Sequence, residues 1–94
     1  MREEVQDRYG NTIYVTDERW QHIFTSHHQL RGRRHEILST IRSGKRSRDP
    51  SLLDKFYYAK PFLFKGRLKL IEVVVLFRWR NNQPNNFVLT AYPR

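Results

Sequence analysis

One stretch of the chain, from Phe56 to Arg80, constrains the fold more than any other. It is rich in valine, leucine, isoleucine and aromatic residues, which favour strands, and it is interrupted by the turn signal Lys65-Gly66. It therefore predicts two strands, Phe56 to Phe64 and Arg67 to Arg80, joined by a tight turn. Side chains alternate along a strand, so the odd-numbered residues from Ile71 to Trp79 would lie on one face of the second strand. The even-numbered residues from Leu70 to Arg78, which include Glu72, would lie on the other face.

Three further segments have the character of strands. A polar loop, Asn81 to Asn86, would lead to a last strand, Phe87 to Tyr92. At the other end of the chain, Glu4 to Tyr9 and Thr12 to Val15 would form a hairpin around Gly10-Asn11. On one face of the last strand, alternation would place Val88, Thr90 and Tyr92.

Two helices are predicted between the hairpin and the later strands. Thr16 has the character of an N-cap, and acidic residues follow it in the first turn of a helix from Asp17 to Gln29. A second helix, Arg34 to Ser43, would end at Gly44, which suits the C′ position. At 100° per residue, one face of the first helix would hold Trp20, Ile23, Phe24 and His27.

Together these elements predict a single α+β domain, residues 1–94. An N-terminal hairpin or strand would precede two helices packed on one face of a four-stranded antiparallel sheet. Cysteine is absent, so the core must come from apolar side chains. The N-terminus has no apolar run typical of a secretory signal, and Ile71 to Phe77 is too short to cross a bilayer. These features favour a cytoplasmic location and no membrane partner.

The charge balance indicates the kind of partner. Eighteen lysines and arginines stand against nine acidic residues, a formal net charge of +9, and most of the cations are arginines. Arginine is suited to bidentate contacts with phosphates, so the imbalance favours nucleic acid over an anionic membrane or an acidic protein. A basic cluster can also be a solvated surface. The densest basic segment supplies the predicted nucleic-acid contacts: Arg31, Arg33, Arg34, Lys45, Arg46 and Arg48.

The histidines are better suited to proton transfer than to metal binding. His22 and His27 are five residues apart and His28 and His35 seven, whereas helical zinc pairs need a spacing of four. No metal and no cofactor are therefore expected. Cleavage of RNA by its own 2′-hydroxyl needs a base, an acid and cations. His22 or His27, Lys60 and several arginines could supply these groups, although a lone histidine in an apolar stripe is often structural.

Short motifs in a fixed order carry a resemblance to a known group. Trp20-Gln21-His22-Ile23 is followed by His27, then by Phe56-Tyr57-Tyr58, a valine-rich strand and Leu89-Thr90-Ala91-Tyr92-Pro93. In this order the motifs resemble the barnase–EndoU–colicin–RelE group of small prophage- and toxin-associated ribonucleases. Where the group's pattern has an arginine before the second histidine and Pro-Glu after it, this chain has Ser26 and His28-Gln29.

The resemblance implies two N-terminal helices on a four-stranded antiparallel sheet and metal-independent ribonuclease activity. It also implies an acidic antitoxin or immunity protein as a partner, besides RNA. Residue by residue, His22 and His27 match the group's helix histidines, and Tyr58 matches an aromatic residue of the basic strand. Lys60 matches the same basic strand, and Thr90 and Tyr92 match the group's terminal strand motif.

The leading hypothesis is an endoribonuclease that leaves a 2′,3′-cyclic phosphate and a 5′-hydroxyl. His22 or His27 would act as base or acid, Lys60 and Arg78 would neutralise phosphate charge, and Thr90 with Tyr92 would position the scissile phosphate. Either Tyr57 or Tyr58 would face outward and could stack on a base, and Tyr58 is the predicted nucleic-acid contact. The alternatives are a non-catalytic RNA- or DNA-binding module and a component of a protein complex whose positive face is covered by an acidic partner.

Overall fold

The computed structural model describes residues 2–94, which form two helices and one six-stranded sheet. The strands lie in the order β1-β2-β6-β5-β4-β3. A single 3-10 turn, His28–Leu30, separates the helices. The elements in chain order are β1 (Arg2–Gln6), β2 (Thr12–Thr16), α1 (Asp17–Ser26), α2 (Arg34–Ser43), β3 (Lys45–Arg48), β4 (Lys55–Phe64), β5 (Arg67–Arg80) and β6 (Gln83–Pro93).

The prediction of an α+β fold is confirmed, but the prediction of a four-stranded antiparallel sheet is wrong. The N-terminal hairpin joins the main sheet through a parallel pairing of β2 with β6, at Ile13–Asn86 and Tyr14–Phe87. At the opposite edge, β3 pairs with β4 over Lys45–Arg48, a part of the basic segment for which no strand was predicted. Both additions satisfy backbone groups that would otherwise be left unpaired along β6 and β4.

The predicted loop 81–86 is also wrong, because β5 and β6 are joined by a two-residue turn. Asn81 and Asn82 both have positive φ, 52° and 61°. Asparagine tolerates this conformation, and a pair of such residues matches the type I′ turn that fits twisted hairpins. The last strand therefore begins at Gln83. Lys65-Gly66, with φ of 50° and 78°, makes the equivalent turn between β4 and β5, as predicted.

Helix α1 begins as predicted and ends three residues early. The Thr16 side chain accepts a hydrogen bond from the Arg19 N–H, at 3.1 Å, which confirms the N-cap. At the other end, the His27 N–H closes the last helical turn on the Ile23 carbonyl at 2.8 Å, and the backbone leaves the helix at φ −132°. His27 is therefore the residue that caps the helix, and it is only half-buried.

Helix α2 has its predicted bounds, but Gly44 serves a purpose other than the expected one. Its φ of −71° is not left-handed. Instead, a Cβ at Gly44 would lie 2.3 Å from the Thr40 carbonyl oxygen and 2.8 Å from that of Ala59. The glycine is needed because helix α2 and strand β4 approach closely there.

This close approach leads to a prediction for Gly44→Ala. Both neighbouring atoms belong to the backbone, one in the last turn of α2 and one in β4. A methyl group therefore requires the backbone at the end of α2 to change conformation and to move away from β4. We expect the free energy of unfolding to fall by about 1–3 kcal/mol, the usual cost of overpacking. Chemical denaturation measures this change, and a midpoint equal to that of the wild type would contradict it.

The hydrophobic core lies between the helices and one face of the sheet, here called the helix face. Ile71, Val73 and Val75 of β5 are completely buried there, which confirms the predicted odd-numbered face over this part of the strand. They pack with Ile23 of α1 and with residues of α2. Trp79 extends past the core on the same strand and is 74% exposed.

A buried polar cluster connects the N-terminal hairpin to β3 and β4. We call it the Asp7 cluster; it comprises Asp7, Asn11, Arg46 and Tyr58. The Asp7 carboxylate accepts hydrogen bonds from the Tyr58 hydroxyl, at 2.5 Å, and from the Asn11 side chain, at 3.0 Å. Arg46 lies 3.8 Å from it. Because β1 and β4 are far apart in the strand order, these bonds hold the hairpin turn over the helix face.

Candidate active site at the end of strand β6

The face of the sheet opposite the helices, here called the open face, contains a buried carboxylate. It belongs to Glu72, in the middle of β5, and the residue is only 7% exposed. One Glu72 oxygen accepts a hydrogen bond from the Tyr92 hydroxyl at 3.2 Å. The other oxygen pairs with the Arg94 guanidinium at 2.5 Å. The register of β5 against β6 makes Glu72 and Tyr92 direct partners, so the strands themselves fix this contact.

His27 meets the same tyrosine from the end of α1. The centroids of the His27 and Tyr92 rings are 6.0 Å apart, with the planes tilted by 50°. The helix ends at this position, so the imidazole leaves the apolar stripe of α1 and reaches the last residues of β6. A carboxylate and an imidazole therefore both contact one phenol. We call Glu72, Tyr92, Arg94 and His27 the β6-end cluster.

The hydroxyl in the middle of this cluster is held in its neutral form. Burial raises the pKa of Tyr92, and the negative charge of Glu72 raises it further. At neutral pH Tyr92 is thus a hydrogen-bond donor rather than a phenolate. Its one O–H is donated to Glu72, and this bond holds the phenol ring beside the imidazole.

Two more hydroxyl side chains lie on the open face near the cluster. Thr90 is half-buried and pairs with Val74, on the same face as Glu72. The Tyr57 hydroxyl donates to an Asp49 oxygen at 2.6 Å, and this bond raises the pKa of Tyr57 to about 12. The same bond lowers the pKa of Asp49 to about 2. The open face thus offers neutral hydroxyls beside the buried carboxylate.

A strongly basic groove begins at the residue after His27. It has a volume of about 570 Å³ and lies between the α1–α2 connection and the β4–β5 hairpin. Five cations line it, and none of its lining residues is acidic among residues 2–94. We call this the basic groove; its lining residues are His28, Gln29, Arg31, Arg33, Phe64, Lys65, Arg67 and Lys69.

The predicted catalytic residues are only partly brought together. His27 contacts Tyr92, and Thr90 is two residues from Tyr92 on the same face of β6. Lys60, in contrast, is on the helix face, where its ammonium group donates to Ser39 and Ser43, each at 2.8 Å. Arg78 is six residues beyond Glu72 on β5, which is about 20 Å along the strand. It pairs with Asp54 at 2.8 Å.

His22 is exposed on helix α1, separate from the other predicted catalytic groups. At 3.6 residues per turn, its position is about 140° around the helix from that of His27. The two histidines therefore leave the helix in different directions. Of the two, the structure places His27 at the β6-end cluster.

The predicted nucleic-acid contacts fall into three groups. Arg31 and Arg33 line the basic groove. Arg34 faces β1, where it pairs with Glu3 at 3.4 Å. On β3, Arg46 is half-buried between the rings of Tyr9 and Phe56, while the exposed cations of that strand are Lys45 and Arg48.

Tyr58, predicted to contact nucleic acid, is completely buried. Its ring lies in the core and its hydroxyl belongs to the Asp7 cluster, so no surface of the ring is free to stack on a base. Its neighbour Tyr57 is the outward member of the pair. The alternation of β4 was evident from the sequence, but which face the helices cover depends on packing between distant segments.

Sequence reasoning missed two features of this region. Glu72 was noted only as an even-numbered residue of its strand, although an acid within a buried apolar run needs a partner. The cations of the β4–β5 hairpin were also missed. These cations are Lys65, Arg67 and Lys69, each two residues from the next. This spacing around the turn signal would have grouped them on one wall.

No family model, no curated protein and no solved structure gives a significant match to this chain. The likeness to the barnase–EndoU–colicin–RelE group therefore stays a prediction. Within residues 2–94, no three histidine or acidic side chains come together as metal ligands would. Neither helix of that part of the chain is long and apolar enough to cross a membrane.

Proposed function

We propose that this protein is a metal-independent endoribonuclease that cuts RNA by attack of a 2′-hydroxyl on the adjacent phosphate. The observation that supports it most is the meeting of His27, Tyr92 and Glu72 at the end of β6, beside the basic groove. Cleavage of this kind needs a base, an acid and positive charge, and these groups supply all three.

The proposed roles follow from the chemistry of each side chain. Glu72 accepts the proton of the 2′-hydroxyl while the bond from that oxygen to phosphorus forms. His27 donates a proton to the 5′-oxygen as its bond to phosphorus breaks. The products are a 2′,3′-cyclic phosphate and a 5′-hydroxyl. Thr90 donates a hydrogen bond to the phosphate, while Tyr92 and Arg94 each bind one Glu72 oxygen and hold the carboxylate in position.

The proposal extends to the setting in which the protein acts. A chain without cysteine is suited to a reducing cytoplasm. A nuclease with a basic active face can be silenced by an acidic protein that covers it, so an antitoxin or immunity protein is the proposed protein partner.

A non-catalytic RNA-binding module is the second candidate, because both Glu72 oxygens already have partners, Tyr92 and Arg94. If Arg94 remains bound when RNA is present, the carboxylate is a weaker base. The two candidates predict different outcomes in one cleavage assay.

The test is cleavage of total tRNA and of a defined single-stranded RNA in the presence of EDTA. We expect the wild type to cut both, and His27→Ala to cut at least about 100-fold more slowly, since positioned acids contribute 10²–10⁴-fold. His35→Ala is the matched control, because His35 is an exposed histidine on α2. Salt-sensitive RNA binding without cleavage at any pH would replace the enzyme with the binding module.

A further inference from the structure

We propose that the basic groove binds the phosphate backbone of single-stranded RNA next to the cleaved linkage, and that it does so without reading the bases. This inference rests on the proposed ribonuclease function for the identity of the neighbouring site. The groove differs from the β6-end cluster in its lining residues and its charges, and its role can be tested separately.

The cations on the helix side of the basic groove are held in place by neighbouring residues. Arg33 pairs with Glu36 at 2.7 Å, and its guanidinium lies 3.7 Å from the centre of the Phe64 ring. Arg31 donates from Nε to the Phe24 carbonyl at 3.2 Å. Cations held by such contacts lose little freedom when they bind phosphate, so more of the interaction energy appears as affinity.

The opposite wall of the groove is formed by the β4–β5 hairpin. Arg67 and Lys69 are two residues apart on one strand and therefore project from the same face of β5. Lys65 sits in the turn itself. Five positive charges thus lie on two sides of a groove of about 570 Å³, an arrangement that suits several anionic groups better than a single small anion.

Both walls of the basic groove are close in the chain to residues of the β6-end cluster. His28 lines the groove and is the chain neighbour of His27 in the β6-end cluster. On the hairpin side, Lys69 precedes Leu70, whose backbone exchanges two hydrogen bonds with that of Arg94, at 2.7 and 3.2 Å. Both walls are therefore joined directly to the cluster. Arg67 and Lys69 are on the same face of β5 as Ile71, the helix face, whereas Glu72 is on the open face. An RNA strand bound at both places would therefore pass from the cluster to the groove around the edge of the sheet, past His27 and His28.

Within residues 2–94, the groove lining offers no exposed phenylalanine, tyrosine or tryptophan ring on which a base could stack. Phe64 is its only aromatic hydrocarbon ring among the described residues, and it is 8% exposed beneath Arg33. Contacts to phosphate position a nucleic acid but carry no sequence information. We therefore expect the groove to contribute affinity that depends on RNA length and salt and not on sequence.

The experiment compares two variants that each remove two cations. Arg67→Gln/Lys69→Gln alters the groove, and Arg42→Gln/Arg80→Gln is the control, at exposed positions on α2 and at the far end of β5. Binding is measured by fluorescence anisotropy with a 2′-O-methylated 12-nucleotide RNA, which the proposed chemistry cannot cut. Melting temperatures establish that both variants are folded.

We expect the groove variant to bind about tenfold or more weakly than the control. Each lost phosphate contact lowers the slope of log affinity against log salt by about 0.7 for single strands, so the slope should fall by about 1.4 in the groove variant alone. Two RNA sequences of equal length should be affected equally. Equal binding by the groove and control variants would overturn the inference, as would a loss confined to one sequence.

Cleavage assays separate a failure of this inference from a failure of the proposed function. In the groove variant, cutting of a 12-nucleotide RNA should slow about tenfold, whereas cutting of a dinucleotide should stay within about twofold of the wild type. Loss of binding without any cleavage by the wild type would retain the groove and remove the nuclease. Normal cleavage by the wild type, together with equal binding by the groove and control variants, would retain the nuclease and remove the groove as a binding site.

Discussion

Replacing Asp7 with alanine is expected to lower the free energy of unfolding by about 3–5 kcal/mol, the usual cost of breaking a buried charged network by removing one partner. The Asp7 side chain is completely buried. Besides Tyr58 and the Asn11 side chain, it accepts hydrogen bonds from the Tyr9 and Asn11 backbone N–H groups, each at 2.9 Å. Alanine would leave all of these donors without their acceptor.

A matched variant separates the carboxylate from the bond that crosses the core. Tyr58→Phe removes one donor and leaves Asp7 its other partners, so we expect a smaller loss of about 1–2 kcal/mol. Urea or guanidinium denaturation of both variants gives the comparison. An Asp7→Ala protein as stable as the wild type would show that the cluster does not hold the hairpin.

The same carboxylate should make stability depend on pH at the acid end. Burial alone would raise the pKa of Asp7, but hydrogen bonds from Tyr58, Asn11 and Tyr9 outweigh it and hold the pKa below its ordinary value. A lowered pKa in the folded state means that the stabilisation is complete above the unfolded pKa of about 3.9 and is lost as the pH falls through the folded value. In Asp7→Asn, this part of the acid dependence should disappear.

The second large effect is expected at Glu72. Glu72→Gln keeps the shape of the side chain and its hydrogen bond with Tyr92 but removes the negative charge, and we expect RNA cleavage to slow by at least about 100-fold. In the wild type the base must be ionised and the acid protonated, so the rate should follow a bell-shaped pH profile. In the variant, the acid limb of that profile should be lost.

The pH profile distinguishes a base from a merely structural carboxylate. If Glu72 only positioned Tyr92, Glu72→Gln would lower the rate at all pH values and leave the acid limb intact. Tyr92→Phe is the companion variant, because it removes the hydroxyl while Glu72 and His27 remain. It should slow cleavage and keep the bell shape, since the proposed base and the proposed acid are both unchanged.

Local features of the fold could be predicted from the sequence, because they depend on neighbouring residues. The Thr16 cap, the bounds of α2 and the Lys65-Gly66 turn each arise from a few adjacent side chains. The pairing of β2 with β6 could not be predicted in this way. Its partners, Ile13 and Asn86, are more than 70 residues apart, and the alternation of either strand is compatible with several neighbours.

The candidate site was predicted in part for the same reason. The resemblance indicated His27, Thr90 and Tyr92, and the structure brings these residues together at β6. It also indicated Lys60, but Lys60 pairs with Ile71 in the sheet and so projects toward the helices. One residue of difference along a strand decides the face, and the faces are assigned only when the helices pack.

The place of β6 in the sheet has a consequence for biosynthesis. Its residues come last in this sequence, yet the strand lies between β2 and β5 and holds the two halves of the sheet together. While a ribosome is still making residues 83–93, the earlier strands have no central partner, and Tyr92 and Arg94 do not yet exist. The nascent chain therefore acquires its complete sheet and its β6-end cluster only after translation has passed this strand.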